Sequence, residues 1–220
     1  MDGAPIVRLR DVSKTYGAAA VLSGVDLSLA KGQKASLIGP SGSGKSTLIS
    51  LIAGLRRPTS GSVEIDGVPM SELDDDHRAL LRAERIGVAL QADNLIPFLS
   101  AIENIEMAMA FAPGRTRRFA RARGLELLDR FGVGDRADHR PRQLSGGEAQ
   151  RVALAVAVAN EPAVLLADEV AAALDDTTAR RIVDDLLAQD FAVLFVTHSR
   201  ALADRAEFGY AIANGSVTLR

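Results

Sequence analysis

Apolar and polar residues alternate from Ile6 to Val12 with one slip, and cleanly through Val25, Leu27 and Leu29. A period of two predicts half-buried strands. Val63-Glu64-Ile65 runs into Asp66-Gly67, a hairpin-turn dipeptide. These segments predict an antiparallel edge layer. Four other runs are apolar at nearly every position: Ala35–Ile38, Ile86–Leu90, Val164–Ala167 and Ala192–Val196. Such runs suit strands covered on both faces in a parallel sheet. Helical spacing marks Lys45–Ala53, Gly146–Ala159 and Thr177–Gln189 between them, so strand, helix and strand alternate as in an α/β core. Tyr210–Leu219 has Asn214-Gly215 at its centre and predicts a closing hairpin. From Asn94 to Gln143 the pattern changes. Leu125, Leu127, Leu128 and Phe131 fall at helix period behind a basic stretch, Arg115 to Arg123. That predicts a mainly helical insert, with the basic stretch as a solvated helix face.

Composition bounds this picture without altering it. The chain has 220 residues, 47% hydrophobic and 25% charged, which predicts a single folded domain over 1–220 with the helical insert at about 94–160. A formal net charge of -2 disfavours nucleic acid as a partner. Without cysteine there is no disulfide framework and no thiolate chemistry. The first ten residues carry Asp2 and no apolar export core. No apolar run approaches the ~20 residues that span a bilayer; the longest candidates, Val152–Ala159 and Ala163–Ala167, are short. If the protein works at a membrane, another chain supplies the spans.

Candidate chemistry begins at Gly39-Pro40-Ser41-Gly42-Ser43-Gly44-Lys45-Ser46-Thr47, which fits G-x-x-x-x-G-K-[ST]. An expected strand precedes it and an expected helix follows. Glycines let backbone N–H groups turn toward phosphates, and the helix N-terminus adds partial positive charge. Lys45 would add a point charge on the same phosphates, and the Ser46 hydroxyl a ligand for Mg²⁺. A Gly/Ser-rich turn with a chance lysine is the competing reading, and the flanking elements disfavour it. Val164–Ala167 ends in Asp168-Glu169, two carboxylates at the strand end where ligands sit in open α/β sheets. Asp168 is expected to hold Mg²⁺, directly or through water. Glu169 is expected to polarise the attacking water as general base. The competing reading is a solvated strand end, common for one acid but not for this pair beside a phosphate loop.

Leu144-Ser145-Gly146-Gly147-Glu148, followed by Ala149-Gln150-Arg151, resembles the signature motif of ABC transporter ATP-binding subunits, and the resemblance covers nearly the whole chain. It implies a P-loop NTPase core of mainly parallel sheet with an antiparallel β edge layer and a helical subdomain. Tyr16 then matches the aromatic that stacks on adenine, Gln91 the glutamine that senses Mg²⁺ and the water, Asp175 (after Leu174) the D-loop, and His198 the switch histidine at the γ-phosphate. Each also has a plain structural reading when it stands alone. The resemblance further implies that Ser145, Gly146 and Gly147 act on the ATP of a partner subunit in a head-to-tail homodimer. ATP is buried between the subunits, and closure and reopening are passed to a separately encoded permease. The protein would then lie on the cytoplasmic face of the membrane.

The segment Asn94 to Ile105, with Arg85-Ile86-Gly87 before it, is similar to the bacterial branch of lipoprotein-releasing, macrolide-exporting and cell-division ABC ATPases, where it lies at the contact with the permease. That branch implies an exporter or a mechanotransmission system. The alternative within it is a regulatory ATPase whose membrane partner activates an extracytoplasmic enzyme. Asp93, Val170, Ala172 and Ser199 depart from the usual pattern, but none removes a phosphate, metal or base group. Soluble ABC proteins of DNA or ribosomes fit less well: there is one P-loop, and no sustained heptads lie between P-loop and signature.

Overall fold

The computed structural model describes residues 4–89, 95–112, 114, 116–169 and 174–220. Two sheets organise them. β1 (Val7–Tyr16), β2 (Ala19–Leu29), β4 (Ser60–Ile65) and β5 (Val68–Pro69) form an antiparallel sheet ordered β2-β1-β4-β5. The slip in the first alternating segment is a bulge. Pairing of β1 with β2 shifts register between Leu9 and Val12, and Asp11 takes φ 50°. One extra residue there carries the inward set past the irregularity, so Leu9 and Val12 are both buried.

The second sheet is ordered β10-β9-β3-β8-β7-β6, from β3 (Lys34–Ile38), β6 (Ile86–Ala89), β7 (Val164–Asp168), β8 (Ala192–Val196), β9 (Phe208–Ala213) and β10 (Ser216–Leu219). β9, β3, β8, β7 and β6 run parallel, and β10 closes the edge as an antiparallel hairpin with β9. Alternate residues of the buried strands feed two separate cores. Leu165, Ala167, Val193 and Phe195 face one; Val164, Leu166, Ala192, Leu194 and Val196 face the other. Both faces are therefore apolar, which is why β7 and β8 read as unbroken apolar runs.

Helix α1 (Lys45–Ile52) packs in the core shared with the antiparallel sheet. The other core takes α3 (Ala101–Ala110), α4 (Arg117–Arg130), α5 (Gly146–Val158) and α6 (Asp176–Leu187). α3, α4 and α5 pack on one another. Between α4 and α5 lie short 3-10 turns at Gly134–Arg136 and Pro141–Gln143. α7 (Arg200–Ala203) follows β8. Helix α2 (Asp75–Arg85) has no counterpart in the sequence reading. It buries no residue completely; Leu81 packs half-buried against the core, a short apolar face inside a run of charges. Local chemistry supports it as well: Asp74 caps it by accepting from the His77 amide, acids fill its first turn and Arg82 and Arg85 its last.

Among the described residues, no helix is long and apolar enough to cross a membrane.

Candidate functional site

β3 delivers the chain to the loop at 39–44, and α1 starts at Lys45. The backbone here demands glycine. A Cβ at Gly39 would lie 2.4 Å from the Ile212 carbonyl oxygen of β9, so only a hydrogen fits where the loop leaves the sheet. Gly44, the N-cap of α1, takes φ 103°, and a Cβ there would press on Leu22 of β2. Lys45 is buried to 6% exposure. Its ammonium donates to the carbonyls of Gly39 (2.9 Å) and Pro40 (2.8 Å). A buried ammonium hydrogen-bonded to neutral carbonyls, with the Asp168 charge nearby, stands ready for an anion.

β7 brings Asp168 to the same place. Asp168 is 8% exposed, with the Ser46 hydroxyl beside its carboxylate, while Oδ1 is buried with no hydrogen-bond partner. Burial raises the Asp168 pKa, and nearby Glu169 adds to this; Ser46, Lys45 and His198 oppose it. An orphaned carboxylate oxygen beside a hydroxyl is a pair of hard donors of the kind Mg²⁺ takes. Among the described residues no group of three or more His, Cys, Asp or Glu side chains could hold a metal ion. This donor set therefore suits a metal that arrives with phosphate oxygens as its remaining ligands.

Asp168→Asn tests this balance between folding and function. The nucleotide-free protein should melt higher by about 2–4 °C, since a desolvated charge is removed, while ATP turnover is lost. A lower melting temperature would mean that the carboxylate is satisfied in the resting protein.

Glu169 follows at φ 52°, the left-handed region, and its amide donates to Val196 of β8 at 3.2 Å. A non-glycine residue held there costs about 1–3 kcal/mol and signals a side chain aimed by its surroundings. Its Oε1 is in direct contact with Nε2 of His198. Thr197 and Ser199 hold the turn that carries His198: the Ser199 amide donates to Thr197 Oγ1 at 3.1 Å, and Ser199 caps α7. A cleft of about 400 Å³ opens beside this pair, lined in part by Glu169, Leu174, Asp176, Arg180 and His198.

Tyr16, at the end of β1, is 40% exposed. Lys14 Nζ stands 5.2 Å and the Arg56 guanidinium 5.5 Å from its ring centroid. Tyr16 pairs with Ala19 on β2, and Val21 and Leu22 of that strand back the start of α1 at Gly44. Arg56 lies forty residues along the chain and carried no motif; only the fold sets it over the ring.

Ser145 caps α5 in a reciprocal box. Its hydroxyl accepts from the Glu148 amide at 3.3 Å, and its own amide donates to Glu148 Oε2 at 2.8 Å. The Glu148 pKa falls from 4.5 to about 2, chiefly through the Ser145 amide, then through Arg136 and the Ser145 hydroxyl. Since the folded value is depressed, this contribution to stability is complete above about pH 4.5 and is lost as pH falls toward 2. Among the described residues, no hydrogen bond or ion pair joins Ser145, Gly146 or Gly147 to the loop at 39–47. A Cβ at Gly147 would meet Leu174 at 3.1 Å, and one at Gly146 would meet nothing within 4 Å. Asp175 caps α6 by accepting from the Thr177 and Thr178 amides, at 3.1 and 3.0 Å.

The structure thus gathers Lys45, Ser46, Asp168, Glu169 and His198, places Tyr16 on the strand pair behind them, and leaves the signature residues apart. Gln91, Asp93, Val170 and Ala172 lie outside the described residues.

A phosphate loop between strand and helix, with paired acids at the end of a neighbouring parallel strand, defines a P-loop nucleotide-binding protein. The family model for ABC transporters matches residues 22–172, more than half of the chain. The chain belongs to the ABC transporter family and is one of its ATP-binding subunits. It is 44% identical to the lipoprotein-releasing system ATP-binding protein LolD 1 of Rhodospirillum rubrum, over 90% of this chain and 88% of that one. With LolD of Novosphingobium aromaticivorans the identity is 42%, over 92% and 94%. The pyoverdine export ATP-binding/permease protein PvdT of Pseudomonas entomophila is 41% identical over 97% of this chain, which spans about a third (34%) of PvdT's length. The dimeric ATP-binding cassette MJ0796, solved in a post-hydrolysis state with ADP and Pi, superposes with a TM-score of 0.91 at 38% identity and covers 97% of both chains. These relatives bear out the branch, the fold and the ATPase class read from the sequence.

Proposed function

We propose that this protein binds and hydrolyses Mg²⁺-ATP between two head-to-tail copies of itself and couples that cycle to a separately encoded membrane permease. The observation that carries the reading is the divided site. Lys45, Ser46, Asp168 and Glu169 converge at one end of the parallel sheet, while the pre-capped signature turn at Ser145 has no bond to them among the described residues. A second copy is the natural source of the missing half. Residues 1–220 act as one nucleotide-binding domain, with a helical subdomain at about 94–160 carrying the signature to the partner's nucleotide.

The residues divide the work as follows. Tyr16 takes the adenine face, and the amides of Gly39 to Thr47 together with Lys45 take the phosphates. Ser46 and Asp168, with Gln91, are the candidates for Mg²⁺, which supplies charge neutralisation on the phosphate oxygens when bound. Glu169 accepts a proton from the attacking water as that water's oxygen bonds to the γ-phosphorus and the bond to the β-phosphate oxygen breaks. His198, now against Glu169, turns to the γ-phosphate. Ser145, Gly146 and Gly147 meet the γ-phosphate of the partner subunit's ATP, and Asp175 helps to align the two halves. Loss of that phosphate removes the bond between the copies and the dimer reopens.

The relatives that release lipoproteins or export pyoverdine favour export as the work done, with the protein peripheral on the inner face of the cell membrane. Phe98, 70% exposed in the segment after Gln91, is a candidate permease contact. The test is capture of ATP-loaded protein from its native membranes. A permease of few spans with a large extracytoplasmic domain is the expected companion. A many-span permease, or a soluble partner alone, would overturn the coupling proposed here and leave the nucleotide chemistry standing. A captured permease that moves no cargo and instead activates an extracytoplasmic enzyme would mark the regulatory alternative.

A further inference from the structure

Arg136 lies in the 3-10 turn Gly134–Arg136, twelve residues before Glu148 and outside every motif. Its Nε donates to Glu148 Oε1 at 2.8 Å, and its Nη1 lies 2.7 Å from Asp135. Glu148 uses its other oxygen, Oε2, to hold the Ser145 amide. One carboxylate is therefore shared between an arginine and the N-cap of the signature helix. Its two oxygens are committed to different partners, so a movement of the guanidinium turns the group that fixes Ser145.

The same short stretch has a second hold. The Ala137 and His139 carbonyls accept from the first amides of α3, Ile102 at 2.9 Å and Ala101 at 2.8 Å. α3 in turn carries Asn104, buried to 4% exposure, whose side chain accepts from the Ile96 amide (2.7 Å) and donates to the Ile96, Leu99 and Ser100 carbonyls. Residues 96–100, the start of α3, the turn at 136–139 and the signature cap thus form one continuous hydrogen-bonded series. Each link is a hydrogen bond of 2.7–3.3 Å; those of Asn104 and Arg136 are partly buried, and the last, from the Ser145 amide to Glu148, is exposed.

We infer that Arg136 is a positioning residue for the signature motif: through Glu148 it sets the geometry in which Ser145 meets the partner subunit's nucleotide, and it ties that geometry to the 96–100 segment. This rests on the shared-site reading above. Arg136 is half-exposed and touches no residue of the phosphate loop among its bonds, so its effect falls on closure of the dimer and not on nucleotide capture by one copy. The depressed Glu148 pKa fits a carboxylate that stays charged for this pairing throughout the neutral range.

The experiment measures three quantities on purified protein: ATP affinity of the single subunit, ATP-dependent dimerisation in a Glu169→Gln background, and steady-state turnover. Arg136→Ala should leave single-subunit affinity unchanged and weaken dimerisation and kcat about tenfold, the size expected for a charge-assisted hydrogen bond. Arg136→Lys, which can still reach one carboxylate oxygen, should restore most of the loss. Glu148→Gln keeps the capping box but drops the charge, so adding Arg136→Ala to it should cost little more. Losses that multiply instead, or Arg136→Ala closing like the parent, would overturn the role. So would a fall in single-subunit affinity. Ser145→Arg separates the two readings. If it blocks closure while Arg136→Ala does not, only Arg136 is misassigned; if Ser145→Arg closes and turns over normally, the shared site itself is wrong.

Discussion

Glu169→Gln should bind ATP as the parent does, lose turnover by roughly 10²- to 10⁴-fold, and accumulate as an ATP-bound dimer. The amide has the shape of the carboxylate but cannot take a proton from water. Nothing else about the position should change. Glu169 is placed by its backbone, at φ 52° with its amide on Val196, and glutamine can keep the contact with His198. The loss should therefore fall on kcat, with little effect on KM, as expected when a group acts in the transition state alone. Phosphate release and light scattering with ATP read the two effects. Full turnover would remove Glu169 as the base. Loss of turnover without a dimer would separate hydrolysis from closure.

Lys45→Ala should weaken ATP binding by at least ~100-fold, as expected for losing charge-assisted bonds to phosphate in a buried site. Two physical effects add. The phosphates lose the one buried lysine of the loop, and the Gly39 and Pro40 carbonyls lose the ammonium that now joins them at 2.9 and 2.8 Å. The loop therefore loses its internal tie as well as its charge. Nucleotide titration of the single subunit measures it, and near-parent affinity would show that backbone amides alone carry the phosphates. Lys45→Ala should form no dimer with ATP, whereas Glu169→Gln should form one readily. Together the two variants place binding before closure and hydrolysis after it.

Much of the fold was readable along the chain because its strands are of two distinct kinds. β7 and β8 serve two cores at once, so an unbroken apolar run marks each. β1 and β2 have one wet face and alternate. Even the irregularity near Arg10 was visible as a slip, although its cause, the bulge at Asp11, is a property of pairing. Helix α2 escaped because its run is mostly charged and it buries no residue completely, so capping and charge stand out more than its half-buried Leu81. In the site, Lys45, Ser46, Asp168 and Glu169 were legible because each sits at a fixed offset from a strand end, and the backbone geometry of that junction demands particular residue types.

The sequence by itself determined the family, the fold and the ATPase class, and it named the groups proposed for phosphate, metal and proton. Local spacing suffices for this, since a turn that presents amides to an anion is built within a few residues. Only the tertiary structure decided how those groups lean on others. Asp168 keeps an unsatisfied oxygen because β7 buries it, Arg56 reaches Tyr16 across the fold, and Arg136 grips the signature cap from another turn. These links join residues that are neighbours only after the chain has closed on itself, and no period or motif along the chain encodes a distance of that kind.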